Sequence, residues 1–467
     1  MRRPRILIVI PSGEAVRNFL YSATLDRLSR DADVTLLTVV HDDAFVERFG
    51  PLTSEIVPLG DHPEHGVVTR FRHIVHTAHM RWRWSKVFQN NWELRSAEAD
   101  AGSTRSRVRW LFLRTTARAL AHRRVLDVLT AVDRRASVRL RPTSVFDELF
   151  DEIQPDLVFN GMHVHGPRGD LPCRIAAARG IPTAAFIYSW DNLTSRSRIF
   201  VPYDDFLVWN DRMKDDLVEL YPGIERDHVH VTGTPQFDFH RRTDQLLNRA
   251  DLAAEIGFDP ARPFVLYTTG VDRHFREEHR TVEHVAATLA SLDLDPKPQL
   301  VVRTYVKGNS PEMRALMERG LPDTVFPEVE WDERWYTPTE QDLRVYSSLL
   351  HECAIGINAA STVSLELLAL DKPVINLGFD PPGSDLGWPD RWIRHIEFDH
   401  FAHVADAGAT MIAMSPDDIG PMLRLGLTDP GYNSAIRRSF IADFMGPAFD
   451  GTNGVRAAEA LLDLVEQ

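Results

Sequence analysis

Residues 354–379 read AIGINAASTVSLELLALDKPVINLGF. The apolar runs at the two ends have the length and composition of buried strands, and the residues between them start a short helix near Thr362. Strand, helix and strand in so short a space form a βαβ unit, which implies a parallel sheet with helices on its faces. Hydroxyls gather where the helix begins, at Ser361, Thr362 and Ser364, and one carboxylate, Glu366, lies a turn further into an otherwise oily segment. In doubly wound sheets ligands sit beyond the carboxyl ends of the strands. A helix N-terminus placed there offers backbone N–H groups and the positive end of its dipole, which suits a phosphate. The stretch therefore reads as a phosphate cradle, with Glu366 accepting hydrogen bonds from a ribose. It also reads as an ordinary helix start, because Ser and Thr are frequent N-caps and a glutamate in the first turns complements the dipole.

The same rhythm extends in both directions. Strands are expected at 5–10 (RILIVI), 33–39 and 54–59, with a helix over 14–30. After a basic stretch the rhythm resumes at 156–161, 182–188 and 204–210, with a helix over 212–221 and a last strand in HVHVTGTPQFD (228–238). Residues 239–260 are polar, end at Asp259-Pro260 and read as a linker. A second series starts at PFVLYTTG (263–270) and continues with a helix near 276–292, the strand QLVVRTYV (299–306) and the opening stretch. Two doubly wound, Rossmann-like domains are expected: 1–245, with a helical insertion at about 70–145, and 246–440. Residues 441–467 end in a helix that starts at a Gly-Thr-Asn-Gly turn.

The chain has 467 residues, 43% hydrophobic and 26% charged, an ordinary globular composition. The first apolar run is six residues long and stops at Pro11-Ser12-Gly13, so it reads as a strand and not as a signal segment. No run approaches the ~20 apolar residues of a membrane span. Two cysteines, Cys173 and Cys353, exclude a disulfide framework and suit a reducing, cytoplasmic compartment. Net charge is −14, yet 70–141 holds 17 Lys and Arg against five acidic residues, so the rest of the chain carries −26. No nucleic-acid motif accompanies the basic segment. Residues 110–140 show helical periodicity, with Leu and Val on one face and Arg on the other. This is either an insertion packed on its own domain or a surface for anionic lipid at the inner face of a membrane.

Other strand ends carry chemistry. Gly270 ends the second domain's first strand, Arg303 ends its second, and Lys307 follows; cations there suit a diphosphate leaving group without a metal. No acidic metal-binding motif stands at a strand end, so no metal is expected. Candidates for a base follow first-domain strands: Glu14 in Ser12-Gly13-Glu14, His163 and His165 in Met-His-Val-His-Gly, and Asp191 in Ser-Trp-Asp-Asn. Each also has a plain structural role open to it, as a helix cap, a loop histidine or a turn residue.

The βαβ order, the stretch SWDNLTSR…DDFLVWNDRMKDDLVELY…VHVTGTPQFD, the STVSLELLALDKPVI segment and the closing helix together resemble bacterial GT-B-fold glycosyltransferases of surface and capsular polysaccharide assembly. They are similar also to CDP-glycerol glycerophosphotransferases and UDP-N-acetylglucosamine 2-epimerases. The resemblance covers about 5–60 and 150–460. It implies two domains facing a cleft, with a nucleotide-sugar as substrate and no separate cofactor. It places Ser361 and Thr362 at the diphosphate, Glu366 at the ribose, and a saccharide or lipid-linked acceptor in the first domain. The last helix would return to that domain. Relatives often carry Arg-x-His-Pro after the strand of Arg303, where this chain reads Arg303-Thr304-Tyr305-Val306. A non-catalytic GT-B-like binding protein is the reading from another class.

Overall fold

The computed structural model describes residues 2–163, 167–196, 198–306, 308–332 and 334–466. The chain divides into two compact units, Met1–Asp238 with Ala448–Gln467, and Phe239–Pro447.

The first unit is built on a seven-stranded parallel sheet of order β3-β2-β1-β4-β5-β6-β7. Its strands are β1 (Arg5–Ile10), β2 (Asp33–Thr38), β3 (Glu55–Pro58), β4 (Leu157–His163), β5 (Thr183–Ile187), β6 (Asp205–Val208) and β7 (Val229–Val231). Uninterrupted apolar runs such as RILIVI form strands here because both faces of a parallel sheet are covered; Ile6 to Ile10 are fully buried. The order reverses between β1 and β4, which makes that boundary the switch point of the sheet. The helix expected over 14–30 is broken. Gly13–Ala15 and a π-helical turn, Val16–Leu20, come first; Ser22 then caps a separate helix, Ala23–Asp31, by accepting from Thr24 N at 3.2 Å. Thr24 in turn donates to Gly454 O at 3.0 Å, docking the last helix, Asn453–Glu466. Both carboxylate oxygens of Asp238 cap that helix, at Asn453 N (3.1 Å) and Gly454 N (2.8 Å).

The insertion consists of the helices Gly66–Arg83, Lys86–Ala101, Thr104–Leu120 and Arg123–Arg139. The single helix expected over 110–140 is interrupted at Ala121-His122. The four helices build a small core of their own around Val75, Trp92, Trp110 and Leu126. Part of the basic charge is consumed internally. Buried Asp133 holds Arg72 in a bidentate pair at 2.9 and 3.0 Å, and Glu64 takes Arg72 and Arg141.

The second unit has a six-stranded parallel sheet, β10-β9-β8-β13-β14-β15. These are β8 (Phe264–Thr268), β9 (Gln299–Arg303), β10 (Thr324–Val325), β13 (Ile355–Asn358), β14 (Val374–Leu377) and β15 (Met411–Ala413); β11 (Trp331–Asp332) and β12 (Thr337–Pro338) pair separately. The switch point lies between β8 and β13. Gly356 in β13 is required by packing: a Cβ there would meet Leu367 of the following helix at 2.2 Å. The segment read as a linker is structured. It includes the helix Arg249–Ile256, and Leu247 N donates to Ser348 Oγ at 2.9 Å.

Candidate functional site

Register aligns the second unit's strand ends. Asn358 pairs with Thr268 and Asn376, and Thr268 pairs with Arg303, so four strand ends form one row across the switch point. From that row the chain enters the helix Thr362–Ala369. Ser361 is its N-cap in extended conformation, yet its side chain does not cap. The hydroxyl donates instead to Asn358 Oδ1 at 3.2 Å. Asn358 Oδ1 also accepts from Ser364 Oγ (2.8 Å) and Asn376 Nδ2 (3.0 Å). The hydroxyls of 361 and 364 thus fix the loop to the sheet, while 360–363 remain half-buried and not covered over. The amide hub thus fixes a small-residue loop at a helix N-terminus, the kind of terminus whose free backbone N–H groups can receive an anion.

Glu366 is 7% exposed. It accepts from Tyr346 Oη at 2.5 Å and is paired with His240 Nε2 at 3.1 Å; His240 Nδ1 lies 3.2 Å from Ser347 Oγ. His351 Nε2 closes on His240 O at 2.7 Å. The expected open carboxylate is therefore part of a buried network, with its remaining acceptor capacity the only share left for a sugar hydroxyl.

Arg303 is 6% exposed, and its guanidinium has an internal carboxylate. Nη2 donates to both oxygens of Asp342 at 2.6 Å, and Nη1 donates to Glu328 O at 3.1 Å. This corrects the expectation that Arg303 meets a diphosphate directly: it holds the helix Glu340–Glu352, which presents Tyr346 to Glu366. Gly270 is likewise explained by packing, since a Cβ would meet Phe275 at 2.0 Å. Its N–H is taken by Glu278, at 3.0 and 3.2 Å. Lys307 and His165 lie outside the described residues.

Burial pushes the Glu278 carboxyl up to about 8, although the Gly270 N–H and the Tyr267 hydroxyl both pull it down. The folded value lies above that of the unfolded chain, so the folded state binds the extra proton. This contribution is complete below the unfolded value and is lost as pH rises through about 8. Glu278→Gln, which cannot ionise, is expected to lose less melting temperature than the wild type between about pH 6 and about pH 9. Parallel pH-dependent slopes for the two proteins would refute the assignment.

In the first unit the candidate bases stand at the carboxyl ends of adjacent strands. Glu14 follows β1 and is buried. His163 ends β4, also buried, with Nδ1 3.2 Å from Tyr203 Oη; burial lowers it to about 4, so it is neutral at neutral pH. Asp191 follows β5, and its carboxylate accepts from Ser195 Oγ at 2.6 Å. Arg17 ties the exit loops together, donating to Tyr188 Oη at 3.3 Å and to Gln236. The sheet thus brings Glu14, His163 and Asp191 to one end.

Sequence reading passed over Asn358, Asn376, His240, Asp342, Tyr346 and Glu278. The paired Ile-Asn strand endings, IGIN and VINL, were a legible signal for the first two. The others are partners chosen by the fold.

No protein-family model matches the chain, and no curated protein matches it in sequence. Solved structures do match in shape. UDP-GlcNAc 2-epimerase from Neisseria meningitidis, bound to UDP-GlcNAc, is similar at TM-score 0.52 and 12% identity, covering 98% of this chain and 100% of that one. The UDP-GlcNAc 2-epimerase of Methanocaldococcus jannaschii gives 0.53 and 11%, covering 98% and 99%. A glycosyltransferase from Rickettsia africae gives 0.51 and 10%, covering 100% of both. The fold is GT-B. At these identities the likeness speaks for architecture.

Proposed function

We propose that this GT-B chain is a nucleotide-sugar-dependent enzyme. Within that class we read it as a glycosyltransferase acting on a hydroxyl of a cell-envelope, polysaccharide or lipid-linked acceptor. The observation that carries the reading is the tip of the helix Thr362–Ala369, where Ser361 is turned to the Asn358 hub instead of capping the first turn. Ser361 and Thr362 would receive the donor's diphosphate, and the positive end of the helix dipole would stabilise its charge as the glycosyl–oxygen bond breaks. The new bond forms from the acceptor oxygen to the anomeric carbon, and the hydroxyl proton passes to a base. Glu14, His163 and Asp191 are the candidates for that base. No metal is needed in this reading, so chelation by EDTA is expected to leave the rate unchanged.

Transfer is favoured over epimerisation by the insertion, which a reaction on the donor alone does not require. The helix Thr104–Leu120 exposes Val108, Leu111 and Phe112 (65% exposed), spaced along one helical face beside the exposed Arg105, Arg109 and Arg118. An exposed apolar stripe flanked by arginines suits an anionic bilayer surface. No helix among the described residues is long and apolar enough to cross a membrane. Leu111→Ser/Phe112→Ser is expected to weaken sedimentation with anionic vesicles about tenfold or more. Unchanged sedimentation would remove the membrane from the reading.

Epimerisation is the second reading, favoured by the solved epimerases that share the fold along almost the whole chain. One assay separates the two. The chain is screened by thermal shift against UDP, GDP, CDP and dTDP sugars, and the stabilising donor is then incubated with and without saccharide acceptors. Turnover only with an acceptor supports transfer, and isomerisation of the donor alone supports the epimerase. Stabilisation by none of the donors would overturn both.

A further inference from the structure

A cavity lies in the first unit, at the opposite end of its sheet from Glu14, His163 and Asp191. Its volume is about 810 Å³, within the range of small-molecule sites. Its wall includes Pro182, Asp204 and His228, which directly precede or open onto the amino ends of β5, β6 and β7. The helix Arg123–Arg139 contributes Arg134, Arg135 and Arg139, and the helix Asp170–Ala178 contributes Arg174.

The charge there is not balanced. Arg174 is 1% exposed, and among the described residues its Nε, Nη1 and Nη2 lack a hydrogen-bond partner. It pairs with Asp133 at 3.2 Å, a carboxylate shared with the bidentate Arg72. Arg134 hydrogen-bonds to the carbonyls Phe200 O and Val201 O, and burial with the neighbouring Arg174 and Arg198 brings it down to about 10. Among the described residues, Arg135 and Arg139 are exposed and have no carboxylate partner. On the other side, Asp204 accepts from Thr183 N and Oγ1, and Asp205 is held by His228 and His230. Beside the guanidinium groups the wall is apolar, with Val138, Ala177, Ile181, Pro202 and Leu464.

We propose that this cavity binds a phosphate monoester or diphosphate that carries an apolar tail. The phosphate lies against Arg135 and Arg139, with Arg174 adding charge from the floor, and the tail follows the apolar wall. Guanidinium groups bind phosphate oxygens in paired, charge-assisted hydrogen bonds, and the tail gains from burial. The ligand is either a soluble phosphorylated compound or a lipid headgroup in a bilayer; the chemistry recognised is the same.

The test uses the full chain and calorimetry with hexyl phosphate and with inorganic phosphate. Hexyl phosphate is expected to bind more tightly than inorganic phosphate, and Arg135→Ala/Arg139→Ala to weaken it about tenfold or more. Both positions are exposed, so an unchanged urea midpoint verifies the fold. The same affinity in Ser361→Asp keeps the signal apart from the helix tip of the second unit. Hexyl phosphate binding no tighter than inorganic phosphate, or unaffected by the double substitution, overturns the proposal. Sedimentation with phosphatidic acid vesicles, in the Leu111→Ser/Phe112→Ser background, identifies the source. Vesicle binding that depends on Arg135 and Arg139 assigns a lipid headgroup, and hexyl phosphate binding without it assigns a soluble ligand.

Discussion

Ser361→Asp is expected to leave the second unit folded and to lower nucleotide affinity about 100- to 1,000-fold. The Ser361 side chain does not cap the helix Thr362–Ala369, so no cap is lost; an aspartate there can supply one and its charge complements the helix dipole, which offsets the lost hydrogen bond to Asn358 Oδ1. The same charge stands where the reading places the donor's diphosphate. Two unit charges about 4 Å apart at an effective dielectric of about 20 repel by about 4 kcal/mol, close to a thousandfold in affinity. Ser361→Asn offers the same capping oxygen without the charge and is expected to lose far less. Calorimetric titration with UDP or whichever nucleotide stabilises the chain, beside a melting curve, decides the matter. An aspartate variant that binds as tightly as the wild type would place the diphosphate elsewhere.

The largest loss of stability is expected from Asp342→Ala, at about 3–5 kcal/mol. The carboxylate accepts from Arg303 at 2.6 Å through both oxygens, from Glu330 N at 3.0 Å and from Trp331 Nε1 at 2.7 Å. Removing it leaves a buried guanidinium with, among the described residues, Glu328 O as its remaining hydrogen-bond partner, and strands two further donors. Replacing both partners, as in Arg303→Met/Asp342→Leu, is expected to cost less than Asp342→Ala alone, because no uncompensated charge is left inside. Urea denaturation of the three proteins measures the difference. A double variant as unstable as the single one would mean that shape, and not charge, is what the pair contributes.

Much of the fold was legible because its signals are local. Apolar runs such as RILIVI and FVLYT become strands wherever a covered parallel sheet exists, and the hydroxyls at 361–364 mark a helix start without reference to anything distant. The errors have local causes too. The helix expected over 14–30 stops because Ser22 caps a new one, and the polar segment 239–260 concealed buried His240 and a helix. Polarity there reflects a network, not exposure. His240 is satisfied by Ser347 and Glu366, residues 107 and 126 positions away.

The candidate site divides along the same line. Ser361, Thr362 and Glu366 are candidates from their order at a strand–helix junction, a pattern written in consecutive residues. Whether Glu366 faces a ligand or His240, and whether Arg303 meets a phosphate or Asp342, depends on which side chains the sheet order brings within reach. The sequence alone determined two doubly wound units, the position of the helix tip and the strand ends worth watching, since periodicity and turn chemistry are properties of neighbours along the chain. Only the tertiary structure decided the partners of Arg303, Glu366 and Glu278. An ion pair or a buried carboxyl is defined by what surrounds it in space: Asp342 lies 39 positions from Arg303 and His240 lies 126 from Glu366, while Glu278 is closed in by Tyr267 and Gly270 across a single strand–helix loop.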